Sequence, residues 1–248
     1  MSLDLQTRIS SLHNNDGRWR GFEQLTGWAI LALSFSSGDI LGVRDFPFSD
    51  LAPYRSIWHR DQAGNWSVYV DGPALEVGCP RWWGPALQDA ALASIGIEWT
   101  DPRTLRVTMA EPALEWTMKL NERPLEAVMN RMGAPMPWRP RLMRAMRELM
   151  AHRVLGMGRI RLDGLVPAGM PAVMMPDLIY GVEESHAESR GVDLGPITRA
   201  SVEPRVGEFP FPVRGALAIG DFRARIVDEQ EHRILADRYR LYRQGEAA

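Results

Sequence analysis

The sequence predicts a mainly-β protein in which antiparallel strands form a curved sheet or a barrel with a central helical insertion; α+β is the alternative class. Two observations carry this prediction. Apolar and polar residues alternate with the period of a strand in many segments before residue 122 and after residue 156. Between those positions apolar residues recur at intervals of three and four, which is the period of a helix.

The N-terminal segment, residues 1–26, predicts a short helix and a loop, because leucine and isoleucine recur at loosely helical spacing before the turn-rich HNNDG. A single β-rich domain is expected over residues 27–226. It opens with GWAILALSF and ILGVRDF, two apolar strands that a glycine turn joins into a hairpin. The stretch from Tyr54 to Trp83 follows as a second hairpin, and it holds four of the nine tryptophans and the single cysteine.

The rest of the chain divides into segments that differ in the spacing of their apolar residues. An antiparallel meander is expected up to residue 121, because ALASIGIEW, LRVTMAEP and ALEWTMKLN all alternate. Two helices separated by a Gly-Ala-Pro-Met-Pro bend are expected within residues 122–156. The strand period then returns. Residues 227–248 predict a C-terminal helix or tail, with a strand pair as the alternative.

Composition and charge exclude several classes of protein. The formal net charge of −2 and a pI near 6.2 disfavour a nucleic-acid binder. The single cysteine, Cys79, rules out an intramolecular disulfide and a cysteine-based zinc cluster. No stretch approaches the apolar length of a membrane span, so we expect no integral membrane segment and a cytoplasmic location. The sequence carries no nucleotide, zinc or serine-hydrolase motif, and we expect neither a metal nor a cofactor.

Two groups of ionisable residues are candidates for acid-base chemistry. His59 and Asp61 would share one strand face, where a carboxylate can orient an imidazole and tune its pKa. Tyr180, Glu184 and His186 would share a face if LIYGVEESHAE is a strand, and together they could move protons on an uncharged substrate. The simpler interpretation of each group is structural: a histidine bonded to a turn aspartate, and a solvated strand face.

Two single residues carry weaker alternatives. Cys79, with Arg81 two positions on, could be an activated thiol, although a lone cysteine is more often a small buried apolar residue. Lys119 is the only lysine, and a surface ion pair is the simpler interpretation than an amine nucleophile.

Methionine and tryptophan mark a candidate binding site for a lipophilic ligand. Ten of the thirteen methionines lie between Met129 and Met175, and flexible thioethers adapt to varied apolar shapes. Tryptophans along the strands supply large apolar walls. The candidate ligand-binding residues are Trp58, Trp66, Trp82, Trp99, Trp116, Met146 and Met150. Core filling explains the same pattern.

The second predicted helix is rich in arginine, from Arg139 to Arg153. A solvated helix face packed over the sheet is the simpler interpretation. Docking to a membrane surface or an acidic partner is the alternative.

Several segments resemble a group of uncharacterised proteins from high-GC bacteria: SIWHRDQAGNW, VGCPRWWG, IEWTDPRTLRVT, LEWTMKL, GVDLGP and RGALAIG. That group is expected to contain S-[IV]-W-H-R-D-x-x-G-x-W, C-P-R and D-L-G-P segments. The likeness runs from about residue 27 to 220 and transfers no activity. More loosely, the order of strands and tryptophans is similar to lipocalin-like barrels that include carotenoid hydratases and small pericyclic cyclases.

These observations favour a protein that binds a lipophilic small molecule inside a barrel. Whether it is an enzyme stays open. As an enzyme it would be a cofactor-independent isomerase, lyase or cyclase that uses the acid-base groups above. A non-catalytic carrier or sensor is the second hypothesis, and an interaction module that uses the arginine-rich helix is the third. A homodimer is also left open.

Overall fold

The computed structural model describes residues 5–13, 19–133 and 137–243. The chain is mainly β, with 45% in strands and 22% in helices, which confirms the predicted class. The strands are β1 (Phe22–Phe35), β2 (Ile40–Ser49), β3 (Tyr54–Arg60), β4 (Trp66–Asp71), β5 (Asp89–Leu92), β6 (Ile95–Asp101), β7 (Thr104–Met109), β8 (Leu114–Asn121), β9 (Asp163–Leu165), β10 (Pro171–Ser189), β11 (Val192–Asp193), β12 (Ile197–Thr198), β13 (Arg205–Val206), β14 (Phe209–Pro210) and β15 (Ala216–Arg225).

Six α-helices lie in the described part of the chain. They are α1 (Leu5–Ser10), α2 (Pro80–Trp83), α3 (Pro124–Gly133), α4 (Arg141–Arg153), α5 (Glu229–Arg238) and α6 (Arg240–Arg243), with 3-10 turns at Leu75–Val77 and Gly84–Ala86. No helix in the described part of the chain combines the length and the hydropathy needed to span a membrane. Parts of the predicted segments 1–26 and 227–248 lie outside the described residues.

Most of the strands form one sheet with the order β5-β4-β3-β2-β1-β15-β10-β8-β7-β6. Neighbours along this order are antiparallel except β4 and β5, which are parallel. The sheet curls into an open half-barrel. Its two outermost strands, β5 and β6, follow each other in the chain, so a short connection joins the two edges of the sheet.

One face of the sheet is concave, because side chains from distant strands meet on it. Val43 and Ile57, from β2 and β3, belong to the same buried cluster as Val107 and Trp116, from β7 and β8. Trp28 and Trp116 are both almost fully buried in this cluster. The interior where the sequence suggested a ligand pocket is therefore filled by core side chains.

The opposite, outer face carries a second core. Trp58 on β3 contacts the rings of Trp66, Trp83 and Phe211, with centroids about 6 Å apart. Trp83 belongs to α2, and Phe211 directly follows the small β13–β14 hairpin. The four tryptophans between Tyr54 and Trp83 thus belong to the outer core rather than to the inside of a barrel.

The helices α3 and α4 lie within the predicted insertion and are fixed to β9 and β10 by buried polar contacts. Arg144 Nε on α4 donates to Asp163 Oδ2 at 2.6 Å. On α3, the Asn130 side chain donates to the Ile179 carbonyl at 2.9 Å and accepts from the Ile179 amide at 2.8 Å. Because these bonds satisfy buried backbone and guanidinium groups, they hold the helix pair against one end of the sheet.

The C-terminal segment is helical over Glu229–Arg238, so the strand-pair alternative is wrong there. The Asp228 side chain accepts hydrogen bonds from two backbone amides of the first turn and caps α5. Leu235 and Tyr239 pack into the outer core. The helix therefore covers part of the outer face.

Candidate functional site: an apolar cavity on the outer face

The outer cavity is an apolar space of about 100 Å³ between the outer face of the sheet and two covering segments, residues 160–162 and 210–212. Its floor is made of small residues on neighbouring strands. Gly27 and Ala29 of β1 lie opposite Gly220 and Ala218 of β15 in the ladder. Small residues in facing positions leave a hollow that larger side chains would fill.

The two floor positions require glycine, because the backbone of a neighbouring strand approaches each of them closely. A Cβ atom at Gly27 would overlap the Asp45 carbonyl oxygen, and one at Gly220 would overlap the Met175 carbonyl oxygen. The Thr26/Trp28 and Pro176/Leu178 register shifts lie beside these positions. The hollow is therefore a consequence of how four strands, β2, β1, β15 and β10, are brought together at two β-bulges.

The walls of the outer cavity are aromatic or sulfur-containing. Phe46 comes from β2, Met174 from β10 and Phe222 from β15, while Phe211 closes it from above. These flat and flexible apolar groups offer dispersion contacts to a hydrocarbon ligand. Of the methionines that the sequence grouped as a candidate lining, Met174 and Met175 line this cavity.

Arg44 is the unusual member of the lining. It lies on β2, it is only 8% exposed, and its guanidinium carbon sits 4.0 Å from the ring centre of Trp58. No carboxylate pairs with it in residues 5–13, 19–133 or 137–243. Burial lowers the pKa of Arg44, and the ionisable groups that act on it are Cys79 and Tyr54. Because an arginine side chain stays protonated in proteins, this is a buried cation held mainly against aromatic rings.

Cys79 is fully buried beside this arginine. Burial raises the pKa of the thiol, and the positive charge of Arg44 opposes that shift only in part. A neutral, enclosed thiol is a poor nucleophile. The geometry thus favours the interpretation of Cys79 as a small apolar core residue.

His59 and Asp61 do not form the predicted pair. His59 Nε2 lies 2.8 Å from Asp39 Oδ1 instead. Asp61 accepts hydrogen bonds from the backbone amide and side chain of Asn65, at 2.8 and 3.1 Å. Asp61 therefore stabilises the turn from β3 to β4. His59 is bonded instead to Asp39, the residue that precedes β2. Neither His59 nor Asp61 lines the outer cavity.

Tyr180, Glu184 and His186 do not share a face either. A register shift between Val182 and Glu184 interrupts the alternation of β10. Tyr180 points into the concave core, where burial raises its pKa and its hydroxyl has no hydrogen-bond partner among the described residues. Glu184 and His186 are exposed on the other side, near Lys119 and Asp193 respectively. The expected surface ion pair of Lys119 is present, since Glu183 and Glu184 both lie 3.7 Å from it.

The seven predicted ligand-binding residues are scattered over the molecule. Trp58 and Trp66 line a narrow gap of about 10 Å³ that Arg44 also borders. Trp82 packs on Phe222, a wall of the outer cavity. The others lie farther away: Trp116 in the concave core, Trp99 half-buried on β6, Met146 exposed on α4 and Met150 beneath the helix pair.

Two further spaces adjoin the outer cavity along Ile160. A space of about 50 Å³ lies beneath α3 and α4 and is lined by Met150, Trp138 and Asp177, among others. The second is an open cleft of about 410 Å³, lined mainly by charged side chains such as Arg159 and Glu203. The outer cavity is thus the apolar middle of a longer depression.

Sequence reasoning missed two aspartates in this region. Trp138 Nε1 donates to Asp177 Oδ1 at 2.7 Å, yet burial, with Asp221 nearby, raises the pKa of Asp177. Asp221 lines the outer cavity, but it accepts from Thr26 Oγ1 at 2.6 Å and from Arg223 Nη2 at 2.9 Å. Each aspartate lies between two uncharged residues of its strand, Asp177 between Pro176 and Leu178 and Asp221 between Gly220 and Phe222, and that was the available signal.

No family model, no curated protein and no solved structure matches this chain. Within the described ranges, no three histidine, cysteine, aspartate or glutamate side chains are grouped so that they could hold a metal ion. What the site offers is an apolar hollow with a buried cation at its edge.

Proposed function

We propose that the protein binds a lipophilic small molecule in the outer cavity and serves as its carrier or sensor. The observation that supports this is the hollow itself, with its floor of glycine and alanine and its walls of phenylalanine and methionine. An apolar cavity of about 150 Å³ can take up a benzene molecule. A space of about 100 Å³ therefore suits a short chain or the end of a ring system, with the rest of the ligand in the adjoining cleft.

Binding without conversion is favoured over catalysis. His59, Asp61, Tyr180, Glu184 and His186 all lie outside the lining of the outer cavity. The carboxylate at the cavity, Asp221, is already paired with Arg223. A general acid or base must reach the reacting atoms of its substrate, and a paired carboxylate is poorly suited to that task.

Filling the floor should weaken binding. An Ala218→Leu variant places an isobutyl group in the hollow, so we expect its affinity for the apolar dye Nile red to fall by about tenfold or more. Ala218 is partly exposed in the floor, so the same change should leave the free energy of unfolding unchanged or raise it by about 1 kcal/mol. Fluorescence titration and urea denaturation measure the two quantities.

Ala90→Leu on β5 is the matched control, because Ala90 is also a half-buried strand residue but does not line the cavity. Its dye affinity should equal that of the unmodified protein. If Ala218→Leu binds the dye as tightly as the control does, the ligand site is elsewhere and the proposal is wrong.

A second candidate function is docking to an anionic lipid surface through α3 and α4. On α4, Leu142 and Leu149 lie two turns apart on one face and are 67% and 56% exposed. Val128 and Met132 on α3 are also more than half exposed. Outward-facing apolar residues on a helix with basic neighbours are typical of an interfacial helix.

The charged residues around the exposed apolar residues of α3 and α4 indicate which kind of partner this surface binds. Arg131, Arg139, Arg141 and Arg153 are exposed on or beside the two helices. Basic residues that border an apolar face add electrostatic attraction to anionic headgroups. An anionic membrane is therefore a better match than an uncharged apolar partner, and it would also place the depression around Ile160 near a source of lipophilic ligands.

The double variant Leu142→Gln, Leu149→Gln should bind phosphatidylglycerol vesicles about tenfold more weakly in a co-sedimentation assay. Val202→Gln is the matched control, because Val202 is equally exposed but lies outside the helix pair. Equal sedimentation of the double variant and the control would refute membrane docking. A dimer that the double variant dissociates would also refute it, since a second copy of the chain would then cover the face.

A further inference from the structure

We propose that the ligand of the outer cavity is an amphipathic carboxylate, whose apolar part fills the hollow and whose carboxylate is bound by the Arg44 guanidinium. This inference rests on the proposed binding of a lipophilic molecule in the cavity. It adds the chemical class of the ligand and the residue that recognises it.

Arg44 differs in its partners from the other buried arginines of the described chain. Three arginines are buried in the described chain: Arg44, Arg144 and Arg223. Arg144 has the Asp163 carboxylate at 2.6 Å, and Arg223 has the Asp221 carboxylate at 2.9 Å. Arg44 alone among these three has no carboxylate partner within the described ranges. A carboxylate supplied by a ligand would give it the partner that the other two find in the protein.

Aromatic rings lie around the Arg44 guanidinium and interact with its charge. Trp58 at 4.0 Å stabilises the guanidinium through its ring face, and Trp83 and Phe211 are close to 6 Å away. Ring faces leave the N–H donors at the edge of the guanidinium without an acceptor. A bidentate carboxylate matches that fork of donors in shape and in charge.

Arg44 lies at the edge of the outer cavity, next to its wall and its floor. Arg44 lies on the same strand and the same face as Phe46, one of the walls, and opposite the floor residue Ala29 in the ladder. A ligand whose chain lies over Ala29 and Ala218 therefore has its end beside the guanidinium. Arg161 also lines the cavity, but it is exposed and belongs to the covering segment.

The test compares decanoate with decanamide, which has nearly the same shape but no charge, as competitors of Nile red. We expect decanoate to displace the dye at a concentration about tenfold or more below that of decanamide. In Arg44→Gln this preference should fall to about one. In Arg103→Gln, the control at an exposed arginine of the β6–β7 turn that does not line the cavity, it should persist.

Thermal unfolding gives a second readout that does not depend on the dye. Decanoate should raise the Tm of the unmodified protein and not that of Arg44→Gln, because a ligand stabilises the state that binds it. Arg44→Met without ligand should be at least as stable as the unmodified protein, since it removes a buried charge that lacks a counter-ion in the described structure.

The outcomes separate the two proposals. If the unmodified protein binds neither the dye nor either decanoyl compound, the proposed function fails and this inference falls with it. If the protein binds both compounds equally, or if Arg44→Gln keeps the preference for decanoate, the cavity binds lipophilic molecules but the inference is wrong. Should Arg44→Gln not fold, the ratio of the two compounds on the unmodified protein still decides the class of ligand.

Discussion

Trp58→Ala is expected to lower the free energy of unfolding by about 4 kcal/mol, the largest effect of any single core substitution that we predict. Trp58 is 2% exposed and contacts the rings of Trp66, Trp83 and Phe211. Its removal leaves a cavity where strand β3, helix α2 and the segment after β14 meet. It also takes away the ring that faces the buried guanidinium of Arg44.

Urea denaturation, with intrinsic fluorescence corrected for the lost indole, measures this change. Trp99→Ala is the matched control, because it removes the same side chain from a half-buried position on β6. We expect the control to cost about 1 kcal/mol. Similar losses for both variants would mean that the outer core is not the centre of stability that its packing implies.

Glu23→Gln is expected to cost about 3 kcal/mol, because it breaks a buried ion-pair network from one side. Glu23 is 2% exposed on β1; Arg81 donates to it at 2.6 Å, and His232 of α5 lies 3.4 Å away. The carboxylate joins the central stretch and the C-terminal helix to the sheet. Its neutral replacement leaves the Arg81 charge without its counter-ion.

The same network gives stability a defined pH dependence. Burial opposes ionisation of Glu23, but the His232 contact and the Arg81 charge outweigh it and hold the pKa of this carboxyl below its usual range. The pKa is lower in the folded state than in the unfolded state, so this contribution is fully present above the unfolded pKa of about 4.3. It is lost as the pH falls through the folded pKa.

The difference in unfolding free energy between the unmodified protein and Glu23→Gln should therefore shrink as the pH is lowered below about 4. Glu115→Gln serves as the control, since Glu115 is 72% exposed and lies 3.4 Å from Arg106 at the surface. That exposed pair should contribute less than about 1 kcal/mol. A constant difference across the acid range for Glu23→Gln would mean that folding leaves the pKa of this carboxyl unchanged, and it would contradict the lowered pKa.

Periodicity alone predicted most of the secondary structure. The alternation in LRVTMAEP and ALEWTMKLN corresponds to β7 and β8, and the change of period at residue 122 corresponds to α3 and α4. These patterns are local, and burial on one face of each element preserves them. The open half-barrel agrees with the curved sheet that these alternating segments predicted.

The two predicted acid-base groups are not brought together in the structure, for two different physical reasons. Tyr180 and Glu184 were placed on one face by counting in twos, and a β-bulge between Val182 and Glu184 broke that count. His59 was paired with Asp61 because they are close in sequence. The carboxylate that binds it, Asp39, lies 20 residues earlier, and only the β2–β3 pairing brings it near.

The position of the outer cavity could not be predicted from the sequence, because the spacing of apolar residues does not show which face of the sheet is left open by the other elements. Tryptophan and methionine content predicted an apolar pocket, but not that the inside of the curl would be packed and the hollow would lie outside it. The floor arises from Gly27 and Gly220, which must be glycine because strands approach there. The sequence held one indication of this site. Arg44 in ILGVRDF is a charged residue that shares its strand face with Gly42 and Phe46.

The central claim is that the outer face of the sheet, and not its concave interior, holds a lipophilic carboxylate. A crystal structure with 10-bromodecanoate, read from the anomalous signal of bromine, tests it most directly. The account predicts one bromine peak in or next to the hollow over Ala29 and Ala218, with the carboxylate about 2.8 Å from the Arg44 guanidinium. A peak among the side chains of the concave core, or no peak at a saturating concentration, would contradict it.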